Sequence, residues 1–241
     1  MLLMALSDVA QDGTSVQQWA DSARAGIEAG FAAGRADQVA AARRVAERGL
    51  ELFPKDPLLK HYEGYGYFRE GLLREGDAAR TTLERSREVL NDALTLQELP
   101  ESRAVLSAVH GNLIGGSVFR AIRHGRASTA EMDRALSAGP QNPRVWLLKG
   151  AGALFAPSMF GGGADQAEVA LRKAIVLFAT DKPAPGMPTW GLAEAHGYLA
   201  LALAKQQKGT EARAVLAEGL RLAPGHAFLL TRVQPDVARS P

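Results

Sequence analysis

Three consecutive glycines, Gly161 to Gly163, stand just before a helix-like run that starts at Ala164. Bare backbone amides at a helix start can cradle an anion. The stretch lacks the Gly-Lys-Ser/Thr ending of a phosphate loop and follows no strand, so a turn packed by Met159 and Phe160 is the competing reading. Ser117, in "GGSVF", has neither the closing glycine nor the preceding strand of a nucleophile elbow and reads as helix packing. The histidines, His61, His110, His124, His196 and His226, are scattered, with no pair at helical ligand spacing, so neither a metal site nor a cofactor is expected. Acidic residues mostly stand beside arginines, as in "ERSRE", which is the pattern of a solvated helix face. The chain therefore reads as non-catalytic, although a site assembled from distant repeats would leave no local motif.

The elements that carry these residues are helical. The 241 residues include no cysteine, which excludes disulfides and zinc-thiolate sites. Lys and Arg number 28 against 26 for Asp and Glu, so the whole-molecule field is too weak to mark a nucleic-acid binder. No apolar run is long enough for a membrane span. Alternating strand patterns are nearly absent, whereas "VQQWADSARAGIEAGFAAG" and "QVAAARRVAERGLELF" place small and apolar residues three and four apart. Helix stops recur at Pro54, Pro140 and Pro224, and counting back 24 residues from each lands on Gly30, Gly116 and Ala200.

This pattern resembles the tetratricopeptide repeat, a helical hairpin of about 34 residues. Trp146 with Gly150, Gly64 with Tyr67, and "YLALALAKQQKGTEARAVLAEGLRLAP" carry its marks; Glu63 departs from them, standing where Leu is expected. The resemblance implies an all-α fold, a right-handed superhelical array of about five hairpins over residues 14–224, with the chain from Ala227 capping the last. An unrelated helical bundle is the competing reading. "APSMFGGG" is the surplus that joins the two helices of hairpin four. Together with "PTWG" at 188–191, it resembles a motif of bacterial envelope proteins of this repeat class and a turn in the T component of TRAP-type transporters. Residues 1–12 read as a tail or signal remnant and 13–241 as one domain, which points to a periplasmic or secreted protein, with the cytoplasm as the alternative.

In the repeat family the first helix of each hairpin lines a concave groove. Carrying its contact positions over places Arg24, Phe31, His61, Tyr65, Phe68, Arg69, Arg120, Arg144, Leu147, Phe155 and Lys205 there. The implied surface is apolar with a basic rim. It suits an acidic peptide or protein partner bound by an adaptor; the alternative is an envelope component whose groove another subunit fills. On this reading Arg69→Glu with Arg120→Glu weakens acidic-peptide binding more than about tenfold and barely changes the melting temperature, because both arginines are taken as exposed.

Overall fold

The computed structural model describes residues 15–115, 118–158 and 161–241. Residues 1–12, Gly116, Ser117, Met159 and Phe160, which figure in the expectations above, lie outside them. Ten helices pair into five antiparallel hairpins: α1 (Val16–Ala32) with α2 (Ala36–Leu52), α3 (Pro57–Leu72) with α4 (Gly76–Leu96), α5 (Pro100–Asn112) with α6 (Val118–Ala138), α7 (Pro143–Phe155) with α8 (Ala164–Phe178), and α9 (Leu192–Lys205) with α10 (Gly209–Leu222). No strand occurs among the described residues.

Local chemistry sets the helix limits. Ser15 and Gln18 form a reciprocal capping box at the start of α1, Asp56 accepts from the Leu59 amide at α3, and Asn142 from the Arg144 amide at α7. Pro57, Pro100 and Pro143 open α3, α5 and α7, where a missing amide hydrogen breaks no helical bond. Pro54, Pro140 and Pro224 fall in the connections after α2, α6 and α10, as their spacing implies.

The glycine marks are contact points within hairpins. A Cβ on Gly64 would lie 2.7 Å from Leu90 Cγ, and one on Gly150 would lie 2.5 Å from Leu171 Cγ. At these points the second helix presses its leucine onto bare backbone of the first. Beyond α10, a π-helical segment (Leu229–Val233) leads into α11 (Gln234–Ala238) and buries Leu229, Val233 and Val237 against the fifth hairpin. The remnant thus caps the last apolar face.

The third hairpin departs from the sequence reading. Its first helix ends at Asn112, and Arg120, assigned above to a first helix, stands in α6, the second. Counting back from Pro140 assumed a fixed repeat length, but α6 is a 21-residue helix. Helices α5 and α6 are joined instead at Ser107 and Ser128: Ser107 Oγ donates to Ser128 O at 2.8 Å and Ser128 Oγ to Ser107 O at 2.9 Å.

The glycine triplet is a turn whose three amides are all used within the chain. Gly161, Gly162 and Gly163 donate to Ser158 O, Pro157 O and Ala153 O, the last at 2.8 Å. Gly161 and Gly163 have φ of 77° and 124°, whereas a Cβ on Gly162 would come within 2.0 Å of Ala156 O. Close approach, not left-handed backbone, is what demands glycine at 162. Gly162→Val is expected to destabilise the fold by about 1–3 kcal/mol. Gly152→Ala, in α7 with open space around the new methyl, is expected to stabilise it by about 0.5–1 kcal/mol. Thermal and urea unfolding of the two variants would check both signs.

Candidate functional site

The inner helices α1 and α3 bring most of the expected groove residues together. Ala20, Ala23, Ile27 and Phe31 recur at three- and four-residue spacing and form the buried stripe of α1. Helix α3 is enclosed on several sides and buries His61, Tyr62, Tyr65, Phe68 and Arg69. Arg144 and Leu147, on α7, are also buried.

What encloses them is the connection between α8 and α9. The other hairpins are joined by residues 53–56, 97–99 and 139–142, but this link runs from 179 to 191. Pro183, Pro185 and Pro188 keep it from forming a helix, and Gly186 and Gly191 turn it at φ of 82° and 114°. The strap lies over the inner helices. Tyr62 Oη donates to Gly186 O at 2.6 Å, and Arg24 Nη1 donates to Thr189 Oγ1 at 2.5 Å. Trp190 is buried and stacks on Tyr65 with centroids 5.1 Å apart; Tyr65 stacks in turn on His61 at 5.8 Å. Gly191 comes so close to α7 that a Cβ would sit 2.6 Å from Leu147.

Carboxylates flanking the strap neutralise the inner arginines. Arg69 is 2% exposed and grips Glu194, at the start of α9, with two hydrogen bonds of 2.8 and 2.7 Å. Its Nε donates to Tyr65 Oη at 2.6 Å, the Tyr65 hydroxyl donates to Glu28, and the guanidinium lies over the Phe31 ring at 4.0 Å. Arg144 Nη2 meets Asp181 Oδ2 at 2.5 Å. Since Glu28 is on α1, Arg69 on α3 and Glu194 on α9, the array has curled until its last hairpin meets its first. Phe31 and His226, with ring centroids 6.0 Å apart at 80°, make a second contact across that closure.

The open basic rim read from the sequence is therefore corrected. Arg24, Phe31, His61, Tyr65, Phe68, Arg69, Arg144 and Leu147 do gather at the inner face, but Arg69 and Arg144 are buried and paired, and Arg24 is half-buried between Asp21 and Thr189. Arg120 lies apart on α6. Phe155 and Lys205 end α7 and α9 and are exposed, with Lys205 Nζ 5.4 Å from the Phe155 ring centre. Trp190, Asp181 and Glu28 were missed, whereas Glu194 falls at a groove position of the fifth hairpin by the same family offsets. The readable signal for the strap was its length and three prolines with an aromatic among them.

The histidines also differ from the sequence reading. His110 and His124 have their Nδ1 atoms 2.9 Å apart, so one imidazole donates to the other. No group of three or more metal-ligating side chains occurs among the described residues. Burial, then the neighbouring Arg144, pushes the His61 imidazole down to about 3. Burial, then His124, pushes His110 to about 4. Burial acts the other way on a carboxyl: it raises Glu28 to about 7 against the opposing pull of Arg69.

No family model and no curated protein matches the chain. Solved structures do share its fold. The HusA haemophore from Porphyromonas gingivalis superimposes with a TM-score of 0.66 at 20% identity, over 81% of this chain and 96% of that one. TTC0263, a thermophilic tetratricopeptide-repeat protein from Thermus thermophilus, gives 0.64 at 20% identity, over 91% and 99%. At that identity the likeness establishes the helical-repeat fold alone.

Two outcomes follow from the buried charges. Arg69→Met leaves Glu194 without its partner and is expected to destabilise the fold by about 3–5 kcal/mol, so Arg69→Glu cannot act as a silent surface change. Denaturant unfolding would measure it. The histidines have folded values below the ordinary 6.5. Their contribution is complete above about pH 6.5 and is lost as pH falls through 4 toward 3. Glu28 has the opposite sign: its contribution is present below about 4.5 and lost as pH rises through about 7. Melting temperatures between pH 7 and 3.5 should therefore fall less steeply in His61→Phe, and those between pH 5 and 8 should fall less steeply with rising pH in Glu28→Gln.

Proposed function

We propose that the chain is a non-catalytic adaptor that holds an extended, acid-bearing peptide or protein segment on its inner face, in competition with its own strap. One observation supports the reading. The inner face already grips an extended stretch of chain through a backbone carbonyl, an aromatic stack and the Arg144–Asp181 pair, and Arg69 holds Glu194 just past its end, in the first turn of α9. These are the contacts by which an extended acidic peptide would be held. The polar groups Arg69, Tyr65, Glu28 and Glu194 bind one another, an arrangement suited to gripping chain rather than to transferring protons or activating a nucleophile.

A cis occupant lowers apparent affinity for a partner by the fraction of molecules whose inner face is open. The adaptor is thus a weak binder at rest and a stronger one once its strap is loosened. We place it in the periplasm or outside the cell. Among the described residues no helix is long and apolar enough to cross a membrane.

The test loosens the strap without emptying the core. Tyr62→Phe with Thr189→Ala removes two strap hydrogen bonds, each contributing about 0.5–1.5 kcal/mol. Calorimetric titration with acidic, neutral and basic peptides is expected to show acidic peptides bound at least about tenfold more tightly by the loosened variant than by the native chain, with the gain shrinking as salt rises. Equal affinity for basic and acidic peptides, or no binding by a loosened variant whose fold is intact, would rule the reading out.

A further inference from the structure

Helix α6 packs through one face and leaves its first half projecting. His124, Glu131 and Ala135 are its buried residues, and Ser128 bonds to Ser107 on α5. At about 100° per residue these positions cluster on one side. Val118, Phe119, Ile122, Arg123 and Arg126 occupy an arc of roughly 140° on the other. Val118 is 74% exposed, Phe119 87% and Ile122 50%. From 118 to 127 only His124 is buried, so this end of the helix is a convex tip rather than the wall of a groove.

The charged residues on this stretch of the chain have one sign. Between Leu113 and Ala130 the sequence has Arg120, Arg123 and Arg126 and no acidic residue. The start of a helix adds partial positive charge of its own. Burial, then the positive charges of Arg123 and Arg87, hold the His124 imidazole below its ordinary value against the opposing charge of Glu84 on α4, so positive charge prevails beside it.

We infer that the N-terminal end of α6 is a peripheral docking tip for an anionic lipid surface, inserting Val118, Phe119 and Ile122 between headgroups while Arg123 and Arg126 meet lipid phosphates. An apolar wedge beside arginines matches the layering of such a surface, where acyl chains lie beneath a negative plane. A second copy of this chain fits poorly, because a two-fold contact through the tip would set arginines against arginines. A protein helix would seek a groove, and the tip offers none. This inference is independent of the inner face and its strap.

Vesicle co-sedimentation of the full chain tests it, with phosphatidylcholine vesicles against vesicles that also contain phosphatidylglycerol. Partition onto the anionic vesicles should exceed that onto neutral ones at least about tenfold at low salt. It should drop more than about tenfold in Phe119→Ser with Ile122→Ser, and again in Arg123→Glu with Arg126→Glu. Both pairs are exposed, so their melting temperatures should match the native chain and show that loss of partition is not loss of fold. Leu52→Ser removes an apolar side chain that is 64% exposed at the end of α2 and should leave partition unchanged. Absence of partition, partition indifferent to the α6 variants, or concentration-dependent dimerisation abolished by Phe119→Ser would each overturn the lipid-docking tip.

Discussion

A guanidinium withdrawn from water must find its counter-charge within the fold, and for Arg69 that counter-charge is on the last hairpin. Removing such a group from solvent is unfavourable by several kcal/mol unless its donors are satisfied. Glu194 takes two of them and Tyr65 a third. Because Arg69 is on α3 and Glu194 opens α9, the pair fixes the distance between the second and fifth hairpins. An array held only by neighbour-to-neighbour packing could vary its curvature gradually. This one has a contact across the curl that is either made or broken. Glu28 and Phe31 tie α1 to the same junction, so closure involves three inner helices at once.

The strap follows from that closure. Once α9 is drawn toward α3, the chain leaving α8 must travel across the inner face to reach it, and a short repeat-type link would not span the path. Asp181 meets Arg144 at one end of the crossing and Glu194 meets Arg69 just past the other. Between them the prolines hold the chain extended, and Tyr62 binds one of its carbonyls. The extended backbone keeps its carbonyls available to side chains from the inner helices. The strap resembles a bound peptide because both must meet a helical surface without secondary structure of their own.

The hairpins were legible because their signals are local. A proline after a helix, a capping residue before one and a glycine where another helix presses close are each settled by a few neighbouring residues, as at Pro54, Asp56 and Gly64. The third hairpin was misread for the same reason. Its glycine mark was placed by counting from Pro140, whereas α5 and α6 approach each other through Ser107 and Ser128, a pair with no repeat signature. The inner-face residues were located through family positions, yet their state was not. Whether Arg69 faces water or Glu194 depends on a residue 125 positions away.

Charge type alone therefore does not say what a basic side chain binds. Arg69, Arg144 and Arg123 look alike in sequence, but the first two meet carboxylates within the chain and Arg123 is exposed on α6. The difference comes from topology. Inner helices face the curl, where later hairpins can bring an acid to them, whereas the first half of α6 is on the outer layer and extends beyond its neighbours. Among the described residues no later segment returns to cover it. A net charge near zero is thus compatible with a neutralised interior and a locally positive tip, and the working surfaces are set by where the chain stops pairing its own charges.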